Sequence, residues 1–252
     1  MPAPTMVVGA PCWIDLYSSD TDTASAFYGD LLGWTAQAPE EGFGGYFIFT
    51  KDGKAVAGCM HNDGSLGYPD SWGIHLMTDD VARTADATAT HGGSVEMGPM
   101  DVAENGTSAM VKDPGGSIVG AWQPNRVKGF EVTGEPGAPA WFELHTGAYD
   151  ETVEFYRDVF AWDVHVMSDT PEFRYTTLGK DEAALAGIMD DAAEPSGWNV
   201  YFSVEDVDAA LERVEELGGK IVEPAQDTPY GRLARAADPT GTAFRLVASP
   251  DA

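Results

Sequence analysis

Residues 10–16 read APCWIDL and residues 138–144 read APAWFEL. Each phrase sets an indole and a carboxylate two residues apart. In an extended strand alternate side chains share a face, so Trp13, Asp15 and Tyr17 look one way, as do Trp141, Glu143 and His145. Such a face offers an aromatic wall for stacking and a carboxylate that can hydrogen-bond a ligand or orient a proton-transfer partner.

The repetition extends far beyond these phrases. Trp141, Phe155 and Trp162 follow Trp13, Phe27 and Trp34 by 128 residues, WGIHLMTDDV from Trp72 answers WNVYFSVEDV from Trp198 at 126, and DPGG from Asp113 answers DPTG from Asp238 at 125. A period this long means two copies of a domain. QPNRVKGFEVTGEPG, residues 123–137, reads as the linker because it mixes Pro, Gly and polar residues without apolar periodicity. The expected domains are 6–122, with modules of about 9–61 and 70–122, and 138–250, with modules of about 138–190 and 196–250. Within each module a strand such as CWIDLYSSD precedes a helix such as TASAFYGDLLGW, whose Ala24, Phe27, Tyr28, Leu31 and Leu32 share one face ahead of a glycine stop. Further strands follow, so each module reads β-α-β-β-β.

This pattern resembles the vicinal oxygen chelate superfamily, which includes glyoxalases, bleomycin-resistance proteins and extradiol dioxygenases. The resemblance rests on YSSDTDTASAFYGDLLGW with its partner HTGAYDETVEFYRDVFAW, on VDAALERVEELGGKIVEP, and on the DPGG and DPTG turns before the last strands. It implies an α+β fold of four βαβββ modules paired into two glyoxalase/bleomycin-resistance-like domains, each a curved mixed sheet around a cleft. Metal-using relatives take His from a module's first strand and Glu from a last strand. Those positions fall here at Trp13 and Trp141, at Gly73 and Asn199, and at Gly120 and Arg245. None of these supplies a good ligand set, and Arg245 would repel a cation. The expectation is a metal-free site with no cofactor.

The resemblance also sets the first strands of paired modules side by side. It brings His75 and Met77 near Asp15, and Asn199, Tyr201 and Ser203 near Glu143, with Trp122 and Arg245 added from the last strands. Phe47, Phe49, Phe173 and Tyr175 are expected as further aromatic lining, and Tyr230 in the PYGR turn as a cleft border. Asp15 and His75 are the candidate catalytic pair, since a carboxylate that fixes an imidazole tautomer gives a general base or acid. A buried pair that only satisfies its own hydrogen bonds is the competing reading. For Glu143 and Arg245 an ion pair is expected, with Arg245 also able to anchor an anionic or carbonyl group.

Composition narrows the function classes. With 14 Lys plus Arg against 41 Asp plus Glu, the net charge of −27 repels a phosphate backbone, so nucleic-acid binding is disfavoured. No apolar run approaches a membrane span and the first residues lack a basic, apolar leader, which points to the cytoplasm and away from membranes. Cys12 and Cys59 are too few for a disulfide framework and read as small buried groups. Internal duplication favours a monomer or weak homodimer. Three functions compete: a metal-independent protein that sequesters a small aromatic or amphipathic molecule, cationic if the acidic surface selects it; a metal-free isomerase, cyclase or lyase using Asp15 with His75 or Glu143 with Tyr201; and an interaction module whose clefts its own side chains fill.

Overall fold

The computed structural model describes residues 7–39, 42–65, 67–193 and 195–248. The first half begins with strand β1 (Pro11–Ser18) and helix α1 (Thr21–Leu32), followed by β2 (Trp34–Ala36), β3 (Phe47–Lys51) and β4 (Lys54–His61). Its second module is β5 (Ser71–Met77), α2 (Val81–Thr90), β6 (Ser94–Val102), β7 (Gly106–Lys112) and β8 (Ile118–Pro124). The second half repeats the plan with β9 (Pro139–Thr146), α3 (Tyr149–Val159), β10 (Val164–Thr170), β11 (Phe173–Leu178) and β12 (Ala186–Asp190). It closes with β13 (Gly197–Ser203), α4 (Val207–Glu216), β14 (Lys220–Thr228), β15 (Gly231–Ala237) and β16 (Ala243–Ala248).

Local chemistry sets the helix ends. Asp20, Asp80 and Asp206 accept from first-turn backbone N–H groups of α1, α2 and α4, and Gly33 ends α1 in the left-handed conformation that glycine adopts without steric cost. Each half then forms one eight-stranded sheet, ordered β2-β3-β4-β1-β5-β8-β7-β6 and β10-β11-β12-β9-β13-β16-β15-β14. The first strands of paired modules, β1 with β5 and β9 with β13, run antiparallel at the centre, and β4 and β8 flank them in parallel.

Alternation divides each sheet into two faces. Ile14, Leu16, Ile74 and Leu76 point to the helix side and are buried. Trp13, Asp15, Gly73 and His75 share the concave face. The helix-side faces of the two halves merge into a single core, since Tyr28 packs its ring 5.7 Å from Phe244 and Trp34 lies 5.4 Å from Phe202. Two reciprocal clamps cross this interface. Tyr28 Oη donates to Asp238 Oδ2 and Tyr156 Oη donates to Asp113 Oδ2, both at 3.1 Å, while Trp72 and Trp198 donate to the same two hydroxyls. Burial pushes the Asp113 carboxyl up to about 6, against the lowering effect of its bonds from Ser117, Tyr156, Gly116 and Gly115.

The connecting segment, residues 123–137, packs against both halves. Phe130 and Val132 are buried, Phe130 stacks 5.7 Å from Phe142, and its amide bonds Cys12 O. Trp34 Nε1 donates to Gly137 O and Trp162 Nε1 to Gly9 O, so the indoles that follow α1 and α3 each pin chain that connects the halves or precedes them. Cys12 and Cys59 are free and buried. Among the described residues, no helix is long and apolar enough to cross a membrane.

Candidate functional site

The concave face of the first half centres on Asp15 and His75. Asp15 Oδ1 accepts from Trp13 Nε1 at 3.1 Å and from Tyr46 Oη at 2.9 Å, and Trp13 Nε1 also reaches Tyr46 Oη at 3.0 Å. Asp15 Oδ2 stands 2.9 Å from His75 Nε2, but off the direction of an aligned N–H···O bond, and neither ring nitrogen has a hydrogen-bond partner among the described residues. Both residues are buried, at 9% and 7% exposure, so an imidazole with unmet donor and acceptor capacity lies at the cleft floor. Two glycines make room for the pair. A Cβ on Gly58 would run into Tyr46 Oη and Asp15 Oδ1, and one on Gly120 into the His75 ring. Tyr17 lies over Gly73, and burial followed by the Asp15 charge pushes its hydroxyl far above the usual range.

Register extends this floor. His75 pairs across β8 and β7 through Gly120 and Met110 to Met97, and Met77 pairs through Trp122 and Ser108 to Met100. Met60 lies beside Tyr17. Five of the chain's nine methionines therefore line one concave face. Trp122 Nε1 donates to Val127 O, and Phe130 packs 5.8 Å from Trp13, so the connecting segment walls this cleft.

The second cleft has the same plan and a different state. Glu143 Oε1 accepts from His145 Nε2 at 2.8 Å and Tyr201 Oη at 2.7 Å, Oε2 accepts from Tyr175 Oη at 2.6 Å, and Trp141 Nε1 donates to Tyr175 Oη at 3.1 Å. Burial alone would raise the Glu143 carboxyl, but the bonds from His145, Tyr175 and Tyr201 outweigh it and hold the group below the ordinary carboxylate range. His145 Nδ1 faces Asp191 Oδ2 at 3.1 Å, so one imidazole bridges two carboxylates and satisfies both when both nitrogens carry hydrogens. Asn199 bonds the backbone oxygens of Glu143 and Gly197.

Two expectations need correction. Phe47 and Phe49 do not line the cleft: both are buried on the helix side, Phe49 5.3 Å from Trp34 and Phe47 5.2 Å from Phe49, because Ile48 between them is the residue that pairs with Gly58 on the concave face. The lining aromatic is Tyr46, one residue before β3. Tyr46 and Gly58 match Tyr175 and Gly187 at an offset of 129, the signal that would have revealed it. Arg245 does not pair with Glu143; its Nη1 bonds Glu223 Oε2 at 3.0 Å and its guanidinium lies 5.7 Å from the Tyr201 ring centre. Tyr230 is 58% exposed at the β14–β15 turn, where its Oη meets Met167 Sδ at 3.7 Å, so it links the two edges of the curled sheet.

The metal geometry of related folds finds no counterpart in these residues. Beside Asp15 and His75, the flanking positions on β4 and β8 are Gly58 and Gly120, and the Tyr46 hydroxyl and the His75 ring fill the space where ligand side chains would begin. Among the described residues no three His, Cys, Asp or Glu side chains gather as an ion site.

Two sheets of this topology, each with its cleft between paired modules, define the Glyoxalase/Bleomycin resistance protein/Dioxygenase superfamily, and the chain belongs to it: the family model matches residues 12–120 and 138–246. Among curated relatives it is 35% identical to the anthracycline biosynthesis protein DauV of Streptomyces sp. (strain C5), covering 95% of this chain and 93% of that one. It is 34% identical to the putative glyoxylase CFP32 of Mycobacterium bovis over 95% and 94% of the two chains. The fold matches the Mn(II)-bound glyoxalase of Novosphingobium aromaticivorans at TM-score 0.69 and 17% identity, covering 96% of this chain and 82% of that one. It also matches the 2,3-dioxygenase LapB of Pseudomonas sp. KL28 at TM-score 0.67 and 12% identity, covering 99% and 96%.

Proposed function

We propose that the chain is a metal-independent small-molecule binding protein whose first-half cleft takes a flat, fused-ring aromatic compound. The observation that carries this is the floor itself: Met60, Met77, Met97, Met100 and Met110 beside Trp122 and Trp13 form a soft, polarizable surface, partly open to solvent, around one buried imidazole without aligned partners. Thioethers adapt to irregular ligand outlines and contact aromatic rings favourably, by about 0.3–1.5 kcal/mol each. A relative named for anthracycline biosynthesis supports the fused-ring class. The net charge of −27 favours a ligand that also carries a cationic group.

Quenching of Trp fluorescence by a planar amino-anthraquinone tests the reading. Saturable binding that survives exhaustive chelation is expected. Absence of binding, or strict dependence on a stoichiometric divalent metal in elemental analysis, overturns it.

A second reading is favoured by the 2.9 Å approach of Asp15 to His75: a metal-free isomerase, cyclase or lyase in which His75 moves a proton and Asp15 stabilises the imidazolium. Under it, Asp15→Asn and His75→Ala abolish turnover of a bound ligand while leaving its affinity within a few-fold.

A further inference from the structure

The second cleft differs from the first along one rung. Where the first half reads His75, Gly120, Met110, Met97 across β5, β8, β7 and β6, the second reads Tyr201, Arg245, Arg235, Glu223 across β13, β16, β15 and β14. Two arginines stand opposite each other on adjacent strands of a chain that carries 41 acids and 14 bases. Glu223 gives one carboxylate oxygen to each: Oε1 to Arg235 Nη1 at 3.3 Å and Oε2 to Arg245 Nη1 at 3.0 Å.

The three charges are unequally held. The Arg245 side chain is 12% exposed and that of Arg235 21%, but Glu223 is 43% exposed on the edge strand, where the register slips on both sides of it. The buried Arg245 Nε has no partner among the described residues, so this guanidinium retains donor capacity that Glu223 does not meet. Glu223 is the most exposed member of the cluster, so a ligand carboxylate that reaches this rung competes with it for the same guanidinium donors. Bidentate donation from arginine suits that group.

We propose that the second cleft is a binding site for an aromatic monocarboxylate, and that Glu223 occupies its carboxylate position when the ligand is absent. The ligand's carboxylate displaces that of Glu223 between Arg235 and Arg245, and its ring lies along Tyr201 and toward Trp141. Glu143, ionised at the far end of the Tyr201 side chain, repels a second anionic group and limits the class to monoanions. The first cleft, with Gly120, Met110 and Met97 in the places of Arg245, Arg235 and Glu223, has no guanidinium there and does not take such a ligand.

Calorimetric titration of the full chain with benzoate, and with benzamide as the neutral isostere, tests this. Removing the internal competitor in Glu223→Gln is expected to tighten benzoate binding about tenfold over the wild type, to leave benzamide unchanged, and to lose the gain when Arg245→Gln is added. A misfolded variant does not gain affinity, so the first outcome is free of that ambiguity. Equal benzoate affinity in wild type and Glu223→Gln, an equal gain for benzamide, or a gain that survives Arg245→Gln overturns the proposal.

Discussion

The two halves share strand order, register and the Trp-x-acid phrase, yet their central carboxylates live differently. Glu143 is enclosed by His145, Tyr175 and Tyr201, each within 2.8 Å. Asp15 has Trp13 and Tyr46 on one oxygen and a misaligned imidazole on the other. One extra methylene in Glu143 reaches two tyrosines and a histidine; Tyr17, in the place of His145, leaves Asp15 without that donor. Small changes at matched positions thus convert a saturated network into one with capacity left over. A saturated buried network favours rigidity, and an unsaturated one retains polar groups for a ligand.

The largest way to break this contrast is to remove each acid in turn. Glu143→Leu strands three buried donors and is expected to cost about 3–5 kcal/mol in urea unfolding, whereas Asp15→Leu costs less, about 2 kcal/mol, because His75 loses no aligned bond. Equal losses would mean that the two networks are equally closed.

A second test addresses the clamp between halves. Asp113 is pushed up from 3.8 to about 6 by burial, so the folded state holds its proton more tightly than the unfolded chain does. This favourable contribution is complete below the unfolded value and disappears as pH rises through the folded one. This contribution is worth about 3 kcal/mol and is lost with increasing pH between about 4 and 6. Unfolding free energy measured from pH 5 to 7 should therefore fall more in the wild type than in Asp113→Asn.

Finer substitutions sharpen the comparison. Gly120→Ala places a methyl group against the His75 ring and is expected to cost about 1–3 kcal/mol in urea unfolding, unless the ring swings into the cleft. Met110→Ala and Met97→Ala should each weaken a planar aromatic ligand by about 1 kcal/mol in fluorescence titration, with little effect on benzoate.

Much of the fold was legible because duplication and periodicity are local signals. The APCWIDL and APAWFEL phrases, the FY helices and the DP turns located strands and helices in both copies. The union of the halves was not, because Tyr28 and Asp238 meet across 210 positions and a pattern of alternation does not identify such partners. The same limit hid the pairing of Arg245 with Glu223. In the YFIFT stretch either alternate set of aromatics makes a plausible lining; only the glycine at position 58 distinguishes Tyr46 from Phe49, through the space that it leaves. The methionine floor was seen only at Met77, since its other members come from different strands and share no sequence spacing.

Methionine methyl groups give the most direct reading of the difference between halves. With [methyl-13C]methionine incorporated, a planar amino-anthraquinone should shift the resonances of Met60, Met77, Met97, Met100 and Met110 while those of Met167 and Met189, in the second half, stay in place. Shifts confined to Met167 and Met189, with the first-half methionines unmoved, would contradict the account.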